Sequence, residues 1–107
     1  DTTVLGTKGY ASPEHYGSRQ TDARSDIYTL GMTLHHLITG VDPRPADYVY
    51  ASVRQWNPEL SDGIEAIIDK CTSIDPENRY QNCAELMYDL QHPDLITKDY
   101  KKDIYKK

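Results

Sequence analysis

Glu14 and Arg79 carry the most directional chemistry in this chain. A guanidinium presents a planar fork that a carboxylate meets through two parallel hydrogen bonds. Both residues sit close to prolines, in Ser12-Pro13-Glu14 and in Asp75-Pro76-Glu77-Asn78-Arg79. They lie 65 positions apart, and on charge alone they read as two unrelated surface groups. Asp26 falls where an otherwise apolar helical run opens, a place where a carboxylate complements the positive helix end. Thr7 lies in Gly6-Thr7-Lys8-Gly9-Tyr10, and a threonine between glycines is first of all a turn residue. His35, His36 and His92 raise the question of a metal. Adjacent residues point about 100° apart on a helix, which prevents His35 and His36 from sharing an ion. Cys71 and Cys83 are 12 apart with no histidine at zinc-finger spacing. The expectation is metal-free.

These residues need elements to hold them. Residues 1–20, with three glycines and Pro13, read as an ordered loop. Ser25 to Thr39 reads as a helix, with Ser25 as N-cap and Gly40 closing it. Its apolar stripe runs Ile27, Leu30, Gly31, Leu34, Leu37, Ile38, and Tyr28 and Met32 widen it beyond the arc of an ordinary surface helix. Such a helix expects neighbours on several sides. A Pro-rich connector follows, then a short helix over Ala46 to Gln55, stopped ahead of Pro58. Ser61 or Asp62 starts the next helix, with Glu65 placed for a capping box if Asp62 is the cap. Ile64, Ile67, Ile68 and Cys71 recur at helical spacing until Asp75-Pro76 breaks the pattern. Asn82 caps a last helix with Glu85 three residues on; Cys83, Leu86, Met87 and Leu90 form its apolar face, and Pro93 ends it. No period-two run appears, so the expected fold is all-α behind an irregular N-terminal loop.

The chain has 107 residues, enough for one domain at most. Its hydrophobic fraction of 37% is low for a self-sufficient globule. Net charge is −5 and uneven: residues 1–94 hold 7 Lys/Arg against 15 Asp/Glu, while residues 95–107 hold 5 Lys against 2 Asp. Two units follow, a body over 1–94 and a basic tail over 95–107. The acidic body argues against nucleic acid, and acids interspersed in the tail argue against a lipid site. No run approaches the roughly 20 apolar residues of a membrane span, and no signal peptide is visible. Both cysteines fall on apolar stripes and read as buried thiols of a reducing, cytoplasmic compartment.

The order and spacing of Gly6-Thr7-x-x-Tyr10, Ser12-Pro13-Glu14, Asp26-x-Tyr28-x-x-Gly31 and Asp75-Pro76-x-x-Arg79 resemble the back half of a eukaryotic-type serine/threonine protein kinase catalytic domain. The resemblance covers about residues 2–92. It implies a mainly α fold, the C-terminal part of the kinase C-lobe (helices F to I), with the activation and P+1 loop at the N-terminus. In that family the Glu closing the activation segment pairs with an Arg before the final helix, so Glu14 and Arg79 are expected to meet. The family's Asp at the position of Asp26 holds the catalytic loop. Gly6, Thr7, Gly9 and Tyr10 match the P+1 loop that lines the substrate pocket, and this run points to Ser or Thr as acceptor. Ser12 replaces the commoner Ala. Thr2 and Thr3 match positions that often carry activating phosphates. The Ser25-to-Gly31 run and short connector resemble bacterial members.

The same resemblance implies ATP and Mg²⁺ as cofactors of the parent enzyme and a protein as its substrate. The 107 residues contain no G-x-G-x-x-G, V-A-I-K, H-R-D or D-F-G run, the parts that perform phosphoryl transfer. In the family pattern these precede the first residue, so no catalytic residue and no bound cofactor is expected here, and the piece alone should be inactive. Two other readings remain open: a pseudokinase, or a helical protein-interaction module. The wide stripe of the Ser25–Thr39 helix further predicts self-association through exposed apolar surface.

Overall fold

A computed structural model describes residues 8–14 and 22–96. Gly6, Thr7, Thr2 and Thr3 lie outside the described residues, as does most of the expected basic tail. The described residues hold four α-helices in order: α1 (Ala23–Thr39), α2 (Val53–Trp56), α3 (Asp62–Cys71) and α4 (Cys83–Gln91). Short 3-10 turns cover Pro76–Asn78 and Pro93–Leu95. There is no strand among the described residues.

α1 begins earlier than its sequence suggests, because Asp22 and not Ser25 is the N-cap. The Asp22 carboxylate accepts from the backbone N–H of Arg24 at 2.9 Å and of Ser25 at 3.4 Å. The Ser25 hydroxyl is buried and turned toward Glu14. Gly40 closes the helix at φ 77°, its N–H donating to the His36 carbonyl at 2.8 Å. α1 buries Ser25, Ile27, Gly31, Met32 and His35, while Leu30, Leu37 and Ile38 are exposed. Only part of the wide stripe is therefore covered within the described residues.

The expected helix over Ala46 to Gln55 shrinks to one turn, Val53–Trp56. Tertiary bonds decide this. The Tyr50 hydroxyl donates to Asp69 Oδ1 at 2.6 Å, and the Ser52 hydroxyl to Oδ2 at 2.8 Å. His35 Nε2 meets the Ala51 carbonyl at 2.6 Å. These contacts hold residues 50–52 out of a helix and against α1 and α3, and a short isolated helix has too little intrinsic stability to compete.

α3 is the central element, packing against α1, α2, α4 and the Pro93–Leu95 turn. Ser61 is its cap, accepting from the Ile64 N–H at 3.1 Å; Asp62 instead pairs with Arg54. The core joins Ile27, Ile67, Cys71, Tyr80 and Leu86, with Leu90 and Ile96 packed against it. Burial pushes the Cys71 thiol up to about 12, so it stays protonated and inert. In α4, Asn82 accepts from the Glu85 N–H at 2.9 Å, and Glu85 Oε1 accepts from the Gln81 N–H at 2.8 Å. The α4 face is narrower than its pattern implies. Leu86 is buried and Leu90 half-buried, whereas Cys83, expected as a buried thiol, and Met87 are exposed. Cys83 is the first residue of α4 and lies outside the Leu86–Leu90 seam.

Candidate functional site: an arginine clasp beneath the N-terminal loop

Arg79 follows the turn that Asp75 and Pro76 create, where Asp75 accepts from the Glu77 N–H at 2.9 Å and Pro76 starts the 3-10 turn. Its backbone leaves that turn extended (φ −86°, ψ 173°) and sends the side chain inward. Nothing of that side chain is exposed: 0%, against 9% for Glu14. Burying a guanidinium demands a partner for every N–H. Nη1 donates to Glu14 Oε2 at 2.6 Å and to the Arg24 carbonyl at 3.1 Å. Nη2 donates to Glu14 Oε1 at 2.9 Å and to the Ile74 carbonyl at 3.2 Å. Nε donates to the Ser73 carbonyl at 2.8 Å. All five donors are engaged, and the guanidinium carbon lies 4.9 Å from the Tyr28 ring centroid. One arginine thus ties the N-terminal loop, the start of α1 and the end of α3 together.

Glu14 receives a third bond, from the Ser25 hydroxyl at 2.8 Å. The Arg79 hydrogen bonds above all, and that from Ser25, hold its carboxyl at about 2 against an ordinary 4.5, while burial works the other way. A carboxyl depressed in the folded state stabilises fully above its unfolded pKa and loses that contribution as pH falls through its folded one. The pair's contribution should therefore decline between about pH 4.5 and about pH 2. Urea midpoints measured from pH 6 to pH 2 should fall more steeply through that window for the wild type than for Glu14→Gln. Parallel curves would show that Glu14 is not held in this way.

Gly9 and Tyr10 stand at the other end of the loop. Gly9 has φ +91°, and a Cβ there would come within 2.6 Å of the Pro43 carbonyl oxygen; no other residue fits both demands. The Tyr10 hydroxyl lies 2.5 Å from His36 Nδ1, and its carbonyl accepts from the Thr29 hydroxyl at 2.9 Å. Gly9, Tyr10, Glu14 and Arg79 are thus gathered along one side of α1. Asp26 is apart from them, exposed on the first turn of α1. Sequence reasoning missed Ser25 as a ligand of Glu14, Tyr28 as the floor under Arg79, and His36 as the partner of Tyr10. Ser25 and Tyr28 belong to the run already singled out at the start of α1, so their types were visible although their contacts were not. Among the described residues no group of His, Cys, Asp and Glu could hold a metal ion, and no helix is long and apolar enough to cross a membrane.

A loop closed by Pro-Glu, clamped by a buried arginine onto a bundle whose long helix carries Ser-Asp in its first turn, is the arrangement that the resemblance to a kinase C-lobe implies. Comparison with known proteins agrees. The chain is 38% identical over 98 residues to the serine/threonine-protein kinase PknB of Mycobacterium leprae, covering 81% of this chain and 16% of that protein. It is 35% identical over 99 residues to a probable serine/threonine-protein kinase of Streptomyces coelicolor, and 32% identical over 100 residues to the serine/threonine-protein kinase PrkC of Bacillus subtilis. These cover 82% and 83% of this chain and 15% of each relative. No family model matches. Over about four-fifths of its length the chain is homologous to bacterial eukaryotic-type serine/threonine protein kinases, and its fold is that of their C-terminal helical lobe. It spans about a sixth of the length of these relatives.

Proposed function

We propose that this chain is the substrate-docking and scaffolding part of a serine/threonine protein kinase, a cytoplasmic catalytic unit that transfers the ATP γ-phosphate to Ser or Thr of a protein. The observation that carries the reading is the bidentate Glu14–Arg79 clasp, which fastens Ser12-Pro13-Glu14 to the helical body. Gly6, Thr7, Gly9 and Tyr10 line the pocket for the residue next to the acceptor, Thr7 helps place the acceptor hydroxyl, and Asp26 braces the catalytic loop. Thr2 and Thr3 are phosphorylation positions. ATP and Mg²⁺ are the cofactors of the whole enzyme, and the G-x-G-x-x-G, V-A-I-K, H-R-D and D-F-G runs that place them do not occur in these 107 residues.

The test compares two proteins. The whole kinase carrying this chain should phosphorylate Ser and Thr peptides but not Tyr peptides. Thr7→Val should lower kcat roughly 100-fold, the cost of a small misplacement of reacting groups, with little change in peptide KM. The 107 residues alone should read background, and turnover by them sensitive to Thr7 would overturn the proposal. In the isolated chain, the exposed Leu30, Leu37 and Ile38 face also favours self-association, and sedimentation should then depend on concentration.

A further inference from the structure

A cavity of about 470 Å³ lies between α1, α3 and the N-terminal loop, within the range of roughly 300–1,000 Å³ usual for small-molecule sites. Three tyrosines, Tyr28, Tyr48 and Tyr50, line it together with Met32 and Asp69. Gly9, Ala11 and Pro13 form the wall toward the loop.

Two polar groups in this lining are under-served. Asp69 is 4% exposed, yet its bonds come from neutral hydroxyls, those of Tyr50 and Ser52. Two hydroxyl hydrogens serve about four lone-pair sites, and a buried carboxylate ordinarily has a cation beside it. The cations in the neighbourhood are engaged elsewhere. Arg79 is neutralised by Glu14, and Lys70 Nζ sits 4.6 Å over the Tyr80 ring. The second group is the Tyr48 hydroxyl, which is buried without a hydrogen-bond partner. Burial, with the Tyr28 phenol adding to it, pushes the Tyr48 phenol up, so it remains neutral.

We propose that this cavity binds a small apolar amine, its ammonium group held by Asp69 and the Tyr48 hydroxyl oxygen among the tyrosine rings. An ammonium donates to both oxygens, places a positive charge beside Asp69, and is attracted by aromatic faces. An anion would be repelled by Asp69, and a neutral hydrocarbon would leave both oxygens as they are. An occupant would also touch residues 9–13 from beneath and restrain them. The inference needs only the folded chain, so it stands or falls separately from the kinase reading.

The test uses the 107-residue chain, with phenethylamine and its carboxylate counterpart 3-phenylpropionate as probes. Phenethylamine should bind saturably, shift the resonances of Tyr48 and Tyr50, and slow amide exchange at residues 9–13. 3-Phenylpropionate should bind at least about 10-fold more weakly, and Asp69→Asn should weaken the amine by a similar factor, the order expected for losing a charged hydrogen bond. Asp69→Asn risks the fold, because Tyr50 and Ser52 depend on it. Tyr48→Phe does not, since it deletes a hydroxyl that bonds nothing, and it should weaken the amine about 3-fold or more while leaving the helical signal unchanged. Equal binding of the two probes, no saturable binding of the amine, or an amine affinity untouched by Tyr48→Phe would each overturn the proposal.

Discussion

Arg79→Met should destabilise the chain by about 3–5 kcal/mol, the usual cost of removing one partner of a buried ion pair. The effect is large because the total stability of a domain this size is only about 5–15 kcal/mol. The loss has two sources. Glu14 becomes a buried carboxylate whose remaining side-chain bond comes from Ser25. The carbonyls of Arg24, Ser73 and Ile74 each lose the donor that Arg79 supplied. Glu14→Gln leaves the buried Arg79 without its counter-charge but keeps its bonds to the Ser73, Arg24 and Ile74 carbonyls, so its cost should be smaller. The double variant should be less destabilised than the sum of the two singles, because neither charge is then left buried without its partner. Arg79→Lys keeps the charge but not the fork, and should fall between wild type and Arg79→Met. Urea unfolding reads these differences, and hydrogen exchange at residues 8–14 reads where they act. If exchange there is the same in Arg79→Met as in wild type, the clasp does not hold the loop.

What the sequence revealed and what it hid divide along the reach of the interactions involved. Asn82 with Glu85, Gly40, and the break at Asp75-Pro76 are local devices. Each works within four residues, so reading neighbours sufficed. Asp22 and Ser25 are both good capping types, and choosing between them required knowing that Ser25 is drawn to Glu14. The Ala46 to Gln55 stretch carries no local defect that forbids a helix. Its residues 50–52 are kept out of the helix by Asp69, 19 residues beyond Tyr50 and 17 beyond Ser52. Cys83 obeys the apolar period of α4 but not its burial, because period reports a helix face and not how far along that face the neighbour extends. The Glu14–Arg79 contact spans 65 positions. No propensity or period reaches that far, and only the resemblance to kinases put the two residues together. The Tyr48–Asp69 cavity had no sequence signal at all, since each of its side chains is ordinary and only their convergence is not.

Gly31→Val should be the second severe change, and its cause lies in how α1 meets α3. A Cβ at position 31 would stand 2.6 Å from Cys71 Cβ and 2.8 Å from Thr72 Cγ2, against the 3.5–4.0 Å at which carbons attract. Neither neighbour can yield by rotating. The Cys71 Cβ is fixed to the backbone, and the Thr72 hydroxyl is committed to the Ile68 carbonyl at 2.9 Å. The two helices must therefore separate, at a cost of about 1–3 kcal/mol, typical of an overfilled core. Gly31→Ala isolates this term, because removing glycine from a helix interior would by itself add about 1 kcal/mol of stability. If Gly31→Ala gains that amount, the close approach is not there. If it is neutral or worse, the collision has cancelled the gain, and Thr72→Ser, which deletes Cγ2, should restore part of it in the double variant. The displacement should also be felt at a distance. α1 carries Ser25, Tyr28 and Thr29, which bond Glu14, underlie Arg79 and hold the Tyr10 carbonyl. Gly31→Val should accordingly speed amide exchange at residues 8–14, although the atoms nearest its added Cβ belong to Cys71 and Thr72; this would mark α1 as the rigid part against which the loop is set.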